Sequence, residues 1–183
     1  MTSNSSNKIG HVAIIMDGNS RWARQRNLKT IEGHKQGVNR LRDIVKYSAK
    51  SEITHLSVFA FSTENWKRSA SDVSDLMKLF LQSIIKEVPE LIENKVQLNF
   101  IGDIPRFSKS LVSQINSAMK DTQAKKPNLN LNVAISYGGR WDILNAIKRI
   151  KDHKINTDKL SEDDFSNLLS TSDFPDPDLL IRT

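Results

Sequence analysis

The stretch HVAIIMDGNSRWARQR, residues 11–26, joins an apolar strand to a polar turn and an arginine-rich helix. Its apolar run, residues 12–16, has the length and composition of a strand that is buried on both faces. Asp17 and Gly18 interrupt that run, and a helical pattern follows near residues 20–25. A strand that turns directly into a helix is the repeating unit of a parallel sheet, so this stretch predicts the fold class.

The same alternation of strand and helix continues to the end of the chain. Further strands are predicted at residues 56–61, 96–101, 131–136 and 179–182, and further helices near residues 34–50, 71–93, 108–123, 140–152 and 161–169. The pattern predicts an α/β fold, with a mostly parallel central sheet and helices on both faces, and a single domain over residues 1–183. The carboxyl ends of parallel strands meet at one rim of the sheet, where we expect the functional site.

The composition restricts the chemistry that the chain can perform. The 183 residues include no cysteine, which excludes thiolate catalysis, thiolate zinc sites and disulfides. The amino-terminal residues are polar and no apolar run approaches about 18 residues, so we expect a cytoplasmic protein without a secretory signal or membrane span. The formal net charge of +6 favours an anionic partner, which is nucleic acid, a phospholipid surface or a phosphorylated small molecule.

The turn at residues 17–20 has two interpretations. Backbone amides at a helix start attract anions, and the turn glycine allows an anion to approach the backbone closely. An aspartate beside an anion is unfavourable unless a divalent cation bridges them, which indicates Mg²⁺ at Asp17. The alternative is that Asp17 or Ser20 only caps the helix. The anion site is favoured by the arginines that follow at once: Arg21, Arg24 and Arg26.

Other predicted strands also bring polar or basic residues to the rim. Ser62, Asn65 and Arg68 follow the second strand, and Arg182 ends the fifth. The guanidinium group of arginine matches the oxygens of a phosphate, so several arginines at one rim predict a site for more than one phosphate. His34 lies at a second predicted helix start, between two glycines, and is either a structural hydrogen bonder or a donor to phosphate oxygen.

The helix predicted at residues 71–93 is unusually apolar. Its apolar stripe is wider than one face of a sheet requires, so it is either a deeply buried helix or the wall of an apolar cavity, which a kink at Pro89 would widen. Ser69 and Asp72 are expected to form a capping box at its start. The motifs of P-loop and dinucleotide-binding proteins, zinc proteases and serine hydrolases do not occur in the sequence.

Six blocks of the sequence resemble the cis-prenyltransferase family, and within it the bacterial undecaprenyl diphosphate synthases. The blocks are HVAIIMDGNSRWA, GHKQG, FAFSTENWKR, IGD, SYGGRWDI and DLLIRT, and together they extend over residues 9–183. The resemblance implies that isopentenyl diphosphate is condensed onto farnesyl diphosphate to give a long cis-polyprenyl diphosphate for a cell-wall lipid carrier. It also implies Mg²⁺, an apolar product tunnel, a homodimer when full length, peripheral membrane contact through the lipid product, and no nucleic-acid partner.

The resemblance further implies roles for individual residues. Asp17 matches the aspartate that binds Mg²⁺ and, with Asn19 and Asn65, is expected to be catalytic. The expected substrate-binding residues are Gly18, Arg21, Trp22, Arg26, His34, Ser62, Arg68 and Arg182, of which Arg26 is included because it belongs to the arginine cluster. Among these, Gly18, Arg21 and His34 match residues on the allylic diphosphate, and Arg182 matches one on isopentenyl diphosphate. Leu129 matches the far end of the tunnel, and the helix at residues 71–93 is expected to form one wall.

The sequence departs from the family pattern at three places. Ser20 stands where glycine is frequent. Thr30 stands where many members have an arginine on the allylic diphosphate, although the adjacent Lys29 offers a positive charge. The family pattern continues beyond DLLIRT with an Arg-x-Ser-Asn-Phe block and an acidic metal ligand, so we expect a chain truncated at its carboxyl end that binds isopentenyl diphosphate poorly.

Two other classes of protein remain as alternatives. A non-catalytic partner subunit of a prenyltransferase complex would share the fold, but such partners tend to lack the aspartate motif that is present here at Asp17. A basic nucleic-acid-binding module is supported only by the net charge, and it would bind DNA or RNA with a steep dependence on salt concentration.

Overall fold

Five parallel strands form the sheet at the centre of the computed structural model, which describes residues 8–183. The strands are β1 (His11–Ile15), β2 (His55–Ser62), β3 (Val96–Ile101), β4 (Leu129–Tyr137) and β5 (Leu179–Arg182). Their spatial order is β3-β4-β2-β1-β5, and each neighbouring pair is parallel. The predicted α/β class is therefore confirmed. The predicted domain starts at residue 1, so its first part lies outside the described residues, and the single-domain boundary stays a prediction.

Six α-helices connect or follow the strands within the described residues. They are α1 (Asn19–Arg24), α2 (Thr30–Ser48), α3 (Ala70–Glu93), α4 (Lys109–Asp121), α5 (Gly139–Asp152) and α6 (Glu162–Ser166). Helix α3 continues through Pro89 to its end, and the Ser69 hydroxyl caps its start by accepting a hydrogen bond from the Asp72 amide. No helix within residues 8–183 has both the length and the apolar character needed to cross a bilayer.

Helix α2 begins at Thr30, so the prediction of a helix start near His34 is wrong. Gly33 and Gly37 lie inside the helix because α1 crosses it very closely there. A Cβ atom at Gly33 would lie 2.0 Å from the Asn19 carbonyl oxygen, and one at Gly37 would lie 2.9 Å from the Asn19 side-chain nitrogen. Glycine weakens a helix interior by about 1 kcal/mol, which is why the pattern suggested a boundary. The contact instead holds Asn19 against α2.

The face of the sheet toward α2 and α3 is apolar. Along each strand, alternate residues point to this face and are buried, such as Leu56 and Val58 on β2 and Leu131 and Val133 on β4. Val45 of α2 and several residues of α3 pack against them in the same core. This face therefore provides the hydrophobic free energy that holds the two long helices on the sheet.

The opposite face of the sheet carries a ladder of polar side chains, which the sequence reading did not foresee. The Asn99 side-chain amide donates to Asn132 Oδ1 at 3.0 Å, and the Asn132 amide donates to Ser57 Oγ at 3.2 Å. Ser57 Oγ lies 2.7 Å from His11 Nε2, and His11 Nδ1 lies 2.6 Å from the Pro175 carbonyl oxygen. A carbonyl only accepts, so Nδ1 carries a proton and donates it to the Pro175 carbonyl. The ladder thus crosses β3, β4, β2 and β1.

Replacement of Asn132 by alanine tests whether this ladder stabilises the sheet. Asn132 is fully buried, and its removal leaves the Asn99 amide without its acceptor. We expect the free energy of unfolding, measured by urea denaturation, to fall by about 1–3 kcal/mol. The matched control is Asn130→Ala on the same strand, because Asn130 makes only an exposed 3.4 Å contact to the Thr54 carbonyl. Equal losses in the two variants would show that the ladder has no special role.

Candidate functional site

One cavity of about 250 Å³ lies at the rim formed by the carboxyl ends of β1, β2 and β5. It gathers most of the polar residues that were singled out from the sequence: Asp17, Asn19, His34, Ser62, Asn65, Arg68 and Arg182. These residues come from four separate segments of the chain. The expectation that they meet at one rim followed from the parallel topology, and the structure places them there.

Asp17 is the acidic centre of this rim cavity. Its Oδ2 accepts a hydrogen bond from Arg182 Nη2 at 2.9 Å, and its Oδ1 accepts one from the Gly18 amide at 2.6 Å. The Arg21 guanidinium also lies 3.6 Å from Oδ1. The hydrogen bond from Arg182, followed by the one from the Gly18 amide, lowers the pKa of Asp17. The carboxylate is therefore ionised at neutral pH and faces two cationic side chains.

The backbone around Asp17 explains why the turn has its sequence. Gly18 has a φ of +88°, a left-handed conformation that glycine adopts without the strain other residues incur. Within the described chain, no side chain caps α1, so the alternative in which Asp17 or Ser20 is only a helix cap is not supported. Thr183 holds the aspartate from the other side: its hydroxyl accepts from the Asp17 amide at 3.2 Å and donates to the Asp17 carbonyl at 3.1 Å.

His34 lies in the wall of the rim cavity on the first turns of α2. Its Nε2 is buried and has no hydrogen-bond partner among residues 8–183. Burial lowers the pKa of His34, the positive charge of Arg68 lowers it further, and the negative charge of Asp72 acts in the opposite direction. The imidazole is therefore neutral at pH 7, with one nitrogen available to a ligand in the cavity.

The segment after β2 is held in place by two side-chain hydrogen bonds. The Ser62 amide donates to Asn65 Oδ1 at 2.9 Å, and Trp66 Nε1 donates to Ser136 Oγ at 2.9 Å. A bulge in β2 shifts its register against β4 just before Ser62. Bulges reorient side chains near functional sites, and this one directs the segment that carries Arg68 into the cavity.

Several predicted substrate-binding residues lie outside the rim cavity. Arg26 stacks over the Trp22 ring, with its guanidinium carbon 4.4 Å from the ring centre, and donates to the Trp22 carbonyl at 3.3 Å. Gly18 and Arg21 border the cavity only through their contacts with Asp17. The substrate-binding roles of these four residues stay predictions, as do the roles of the predicted residues that line the cavity.

Some cavity residues were not found from the sequence. Val38, Phe59 and Leu79 line the cavity, and Thr183 positions Asp17. The apolar ones have no chemical signature, because they resemble any core residue of a helix or strand. Thr183 could have been found, since it follows Arg182 on the strand that the parallel topology places beside β1.

A second, apolar cavity of about 140 Å³ adjoins the first. The two share Met16, Val38, Ala60 and Phe80 as wall residues, and the apolar cavity continues between α2 and α3 over the apolar face of the sheet. The expected role of α3 as a cavity wall therefore agrees with the structure. Leu129 does not line this cavity; it is fully buried beside Val96, which does.

The donor set at the rim fits Mg²⁺ only as a site shared with a ligand. No group of three or more histidine, aspartate or glutamate side chains within residues 8–183 is placed to bind a metal by itself. Mg²⁺ is commonly bound by one or two carboxylates, with substrate phosphates and water as its other ligands. The ionised Asp17 is such a carboxylate.

Comparison with known proteins shows the family. The prenyltransferase family model described as undecaprenyl diphosphate synthase matches residues 15–183. A ditrans,polycis-undecaprenyl-diphosphate synthase of Coxiella burnetii, named as specific for (2E,6E)-farnesyl diphosphate, is 45% identical over 177 residues, covering 94% of this chain and 74% of that protein. An isoprenyl transferase of Neisseria meningitidis is 44% identical over 173 residues, covering 94% of this chain and 68% of that protein.

Two solved structures have the same fold. Lavandulyl diphosphate synthase from Lavandula x intermedia, in complex with dimethylallyl diphosphate, superimposes with a TM-score of 0.89 at 34% identity, covering 95% of this chain and 77% of that chain. A probable undecaprenyl diphosphate synthase from Campylobacter jejuni superimposes with a TM-score of 0.78 at 30% identity, covering 96% of this chain and 75% of that chain.

A pH titration of His34, monitored through the NMR signals of its imidazole protons, tests the electrostatics of the rim. We expect a pKa below the ordinary value of about 6.5. Arg68→Gln should raise this pKa, Asp72→Asn should lower it further, and the exposed Lys67→Gln should leave it unchanged. A pKa of His34 that does not respond to Arg68→Gln would contradict the arrangement.

The same shift makes the stability of the protein depend on pH. Because the folded state depresses the pKa of His34, the unfolded chain takes up the proton first as the pH falls. Stability is therefore lost between the ordinary pKa and the lower folded one. Burial also lowers the pKa of His55, which contributes in the same direction. Urea denaturation of His34→Gln should show a shallower loss of stability below about pH 6.5 than the parent.

Proposed function

The chain belongs to the undecaprenyl diphosphate synthase family of prenyltransferases, and from that premise we propose that it elongates farnesyl diphosphate with isopentenyl diphosphate units. The proposed product is a long cis-polyprenyl diphosphate, namely undecaprenyl diphosphate, which would serve as the lipid carrier of cell-wall synthesis. We also propose a cytoplasmic location with peripheral membrane contact through the lipid product.

The observation that carries this proposal is the junction of the two cavities. The rim cavity offers Arg68, Arg182 and the neutral His34 to phosphate oxygens, and the adjoining apolar cavity offers hydrocarbon contacts over the length of two helices. A prenyl diphosphate has the same two parts, a charged head and an apolar tail. A nucleic acid has no comparable tail, so this junction favours the prenyl diphosphate over the nucleic-acid alternative.

The residues at the rim suit the separation of a diphosphate from an allylic carbon. Each condensation forms a carbon–carbon bond to isopentenyl diphosphate, breaks the allylic carbon–oxygen bond, and releases diphosphate and a proton. Cationic groups that face the departing diphosphate stabilise the charge that develops on it. Arg182 donates one bond to Asp17, and its remaining N–H groups can bind phosphate oxygens. Asn19, held against α2, is the proposed catalytic amide next to Asp17.

We propose Mg²⁺ as the cofactor, held by Asp17. When bound, the ion would neutralise charge on the diphosphate oxygens. The residues themselves supply the rest of the site: Asp17 remains ionised because Arg182 and the Gly18 amide stabilise its negative charge. His34 and Arg68 present donors from the other wall of the same cavity.

A second candidate reaction is the condensation of short allylic diphosphates without chain growth. Its support is the likeness to lavandulyl diphosphate synthase, which was solved with dimethylallyl diphosphate. The relative from Coxiella burnetii, at 45% identity, is named an undecaprenyl-diphosphate synthase, which favours the first proposal. Product analysis distinguishes the two, because only elongation consumes many isopentenyl units for each allylic primer.

The enzymatic prediction is tested with farnesyl diphosphate, radiolabelled isopentenyl diphosphate and Mg²⁺. Because the chain is expected to bind isopentenyl diphosphate poorly, we expect labelled long-chain products with the parent chain when this substrate is supplied in large excess. The rate should be at least about 100-fold lower with Asp17→Asn, since the amide loses the charge that pairs with Arg182 and the ion. Chelation of the metal should have a similar effect.

Asp43→Asn is the matched control for this measurement. Asp43 is an exposed carboxylate on α2 that pairs with Arg40, outside both cavities, so its amide variant should keep the parent rate. Absence of label incorporation by the parent would refute chain elongation and favour a non-catalytic partner subunit. Parent-like turnover by Asp17→Asn would refute the role of Asp17 alone.

We further propose a homodimer that uses the exposed apolar face of α5. Ile143, Leu144 and Ile147 of this helix are each about half exposed, which is unusual for large apolar side chains grouped on one face. Light scattering should report a dimer for the parent and a monomer for Ile147→Glu. The control is Ile85→Glu, a similarly exposed isoleucine on α3. A parent monomer would contradict the proposal.

A further inference from the structure

The apolar cavity extends along two neighbouring helices from the rim toward the other end of the sheet. On α2 its wall runs from Val38 to Ala49, and on α3 from Phe80 to Asn94. At 1.5 Å per helical residue these walls span about 16 and 21 Å. Because the helices both start near the rim, the depth of the cavity increases with residue number along each helix.

The wall of this cavity contains two ion pairs that join the helices. Arg42 Nε donates to Glu87 Oε2 at 2.7 Å, and Arg42 Nη2 donates to the other oxygen of the same carboxylate. Lys46 Nζ lies 2.7 Å from Glu90 Oε1. All four residues line the apolar cavity. The pairs follow one another along the seam between α2 and α3, one turn apart.

The pair of Arg42 and Glu87 is well shielded from solvent. The side chains of Arg42 and Glu87 are only 24% and 19% exposed, whereas the two ion pairs formed within α2 itself are mostly open to water. The hydrogen bonds between Arg42 and Glu87 lower the pKa of Glu87 and raise that of Arg42, so both groups are charged. A bidentate pair of this kind holds both side chains in a defined geometry, and separating it leaves a poorly solvated charge.

We propose that these two pairs, the α2–α3 latch, close the cavity on its side and thereby limit the length of the prenyl chain that it accepts. The proposal rests on the proposed function, because it assigns the latch a role in product length. An apolar chain that grows from the rim can fill the cavity past Arg42, as far as Ala49 on α2 and Asn94 at the end of α3. Growth beyond that depth requires separation of the two helices, which the latch opposes.

Product length in the elongation assay is the first test. The double variant Arg42→Ala/Glu87→Ala removes both charges together and leaves no unpaired group, and we expect products longer by at least one isoprene unit. The charge exchange Arg42→Glu/Glu87→Arg re-forms the pair and should restore the parent length. Arg40→Ala/Asp43→Ala removes an exposed pair of the same helix and should also keep it. Parent-length or shorter products from the first variant would overturn the proposal.

Binding of n-alkyl phosphates, from decyl to octadecyl, is a second test that requires no catalysis. Measured by calorimetry, affinity should rise about fourfold for each methylene that the cavity buries. In the parent this rise should stop at a chain length that fills the cavity, and in Arg42→Ala/Glu87→Ala it should continue. An identical plateau in both proteins would overturn the latch.

The two tests separate the latch from the proposed function. If the parent fails to elongate farnesyl diphosphate, the proposed function fails, and the alkyl phosphate series still decides whether the latch bounds the cavity. If the parent elongates and the double variant gives parent lengths, only the latch fails. Circular dichroism and thermal melting confirm beforehand that each variant is folded.

Discussion

The parallel pairing of β1 with β5 is the interaction on which the site depends. It sets Ile15 opposite Arg182, so that Asp17 receives a hydrogen bond from a residue 165 positions later in the chain. The other edge of β1 pairs with β2, which brings Ser62 and Arg68 to the same rim. A strand with partners on both edges is shielded from water along both of them, which is consistent with the apolar run at residues 12–16.

The two faces of the sheet are stabilised by different interactions, because one of them borders the apolar cavity. A face that borders a cavity loses packing contacts, because atoms that line a void have no partners on one side. The opposite face compensates with directional contacts: the ladder through Asn99, Asn132 and Ser57 joins neighbouring strands by hydrogen bonds. Fully satisfied networks of buried polar groups specify a unique arrangement. Through His11 the ladder also reaches the Pro175 carbonyl, and so connects β1 to the segment that precedes β5.

The sequence predicted the architecture well where the pattern has a local cause. The strands at residues 96–101 and 179–182 have their predicted bounds because turn residues enclose short apolar runs. Gathering of the polar residues at one rim followed from parallel topology alone. The start of α2 was missed because Gly33 and Gly37 are required by a contact with Asn19, which no local pattern reveals. The polar ladder and the ion pairs between helices were missed for the same reason: each depends on distances between residues far apart in sequence.

The same two helices hold the charged end of the site and the proposed limit to chain growth. Helix α2 carries His34 at the rim and Arg42 eight residues further along, about 12 Å deeper at the rise of an α-helix. A continuous helix keeps this separation constant, because its hydrogen bonds leave its length almost no freedom. Under the proposed function each condensation occurs at the rim and moves the apolar tail deeper. Because His34 and Arg42 lie on the same helix, the limit that we propose for the latch is fixed relative to the reacting end of the chain.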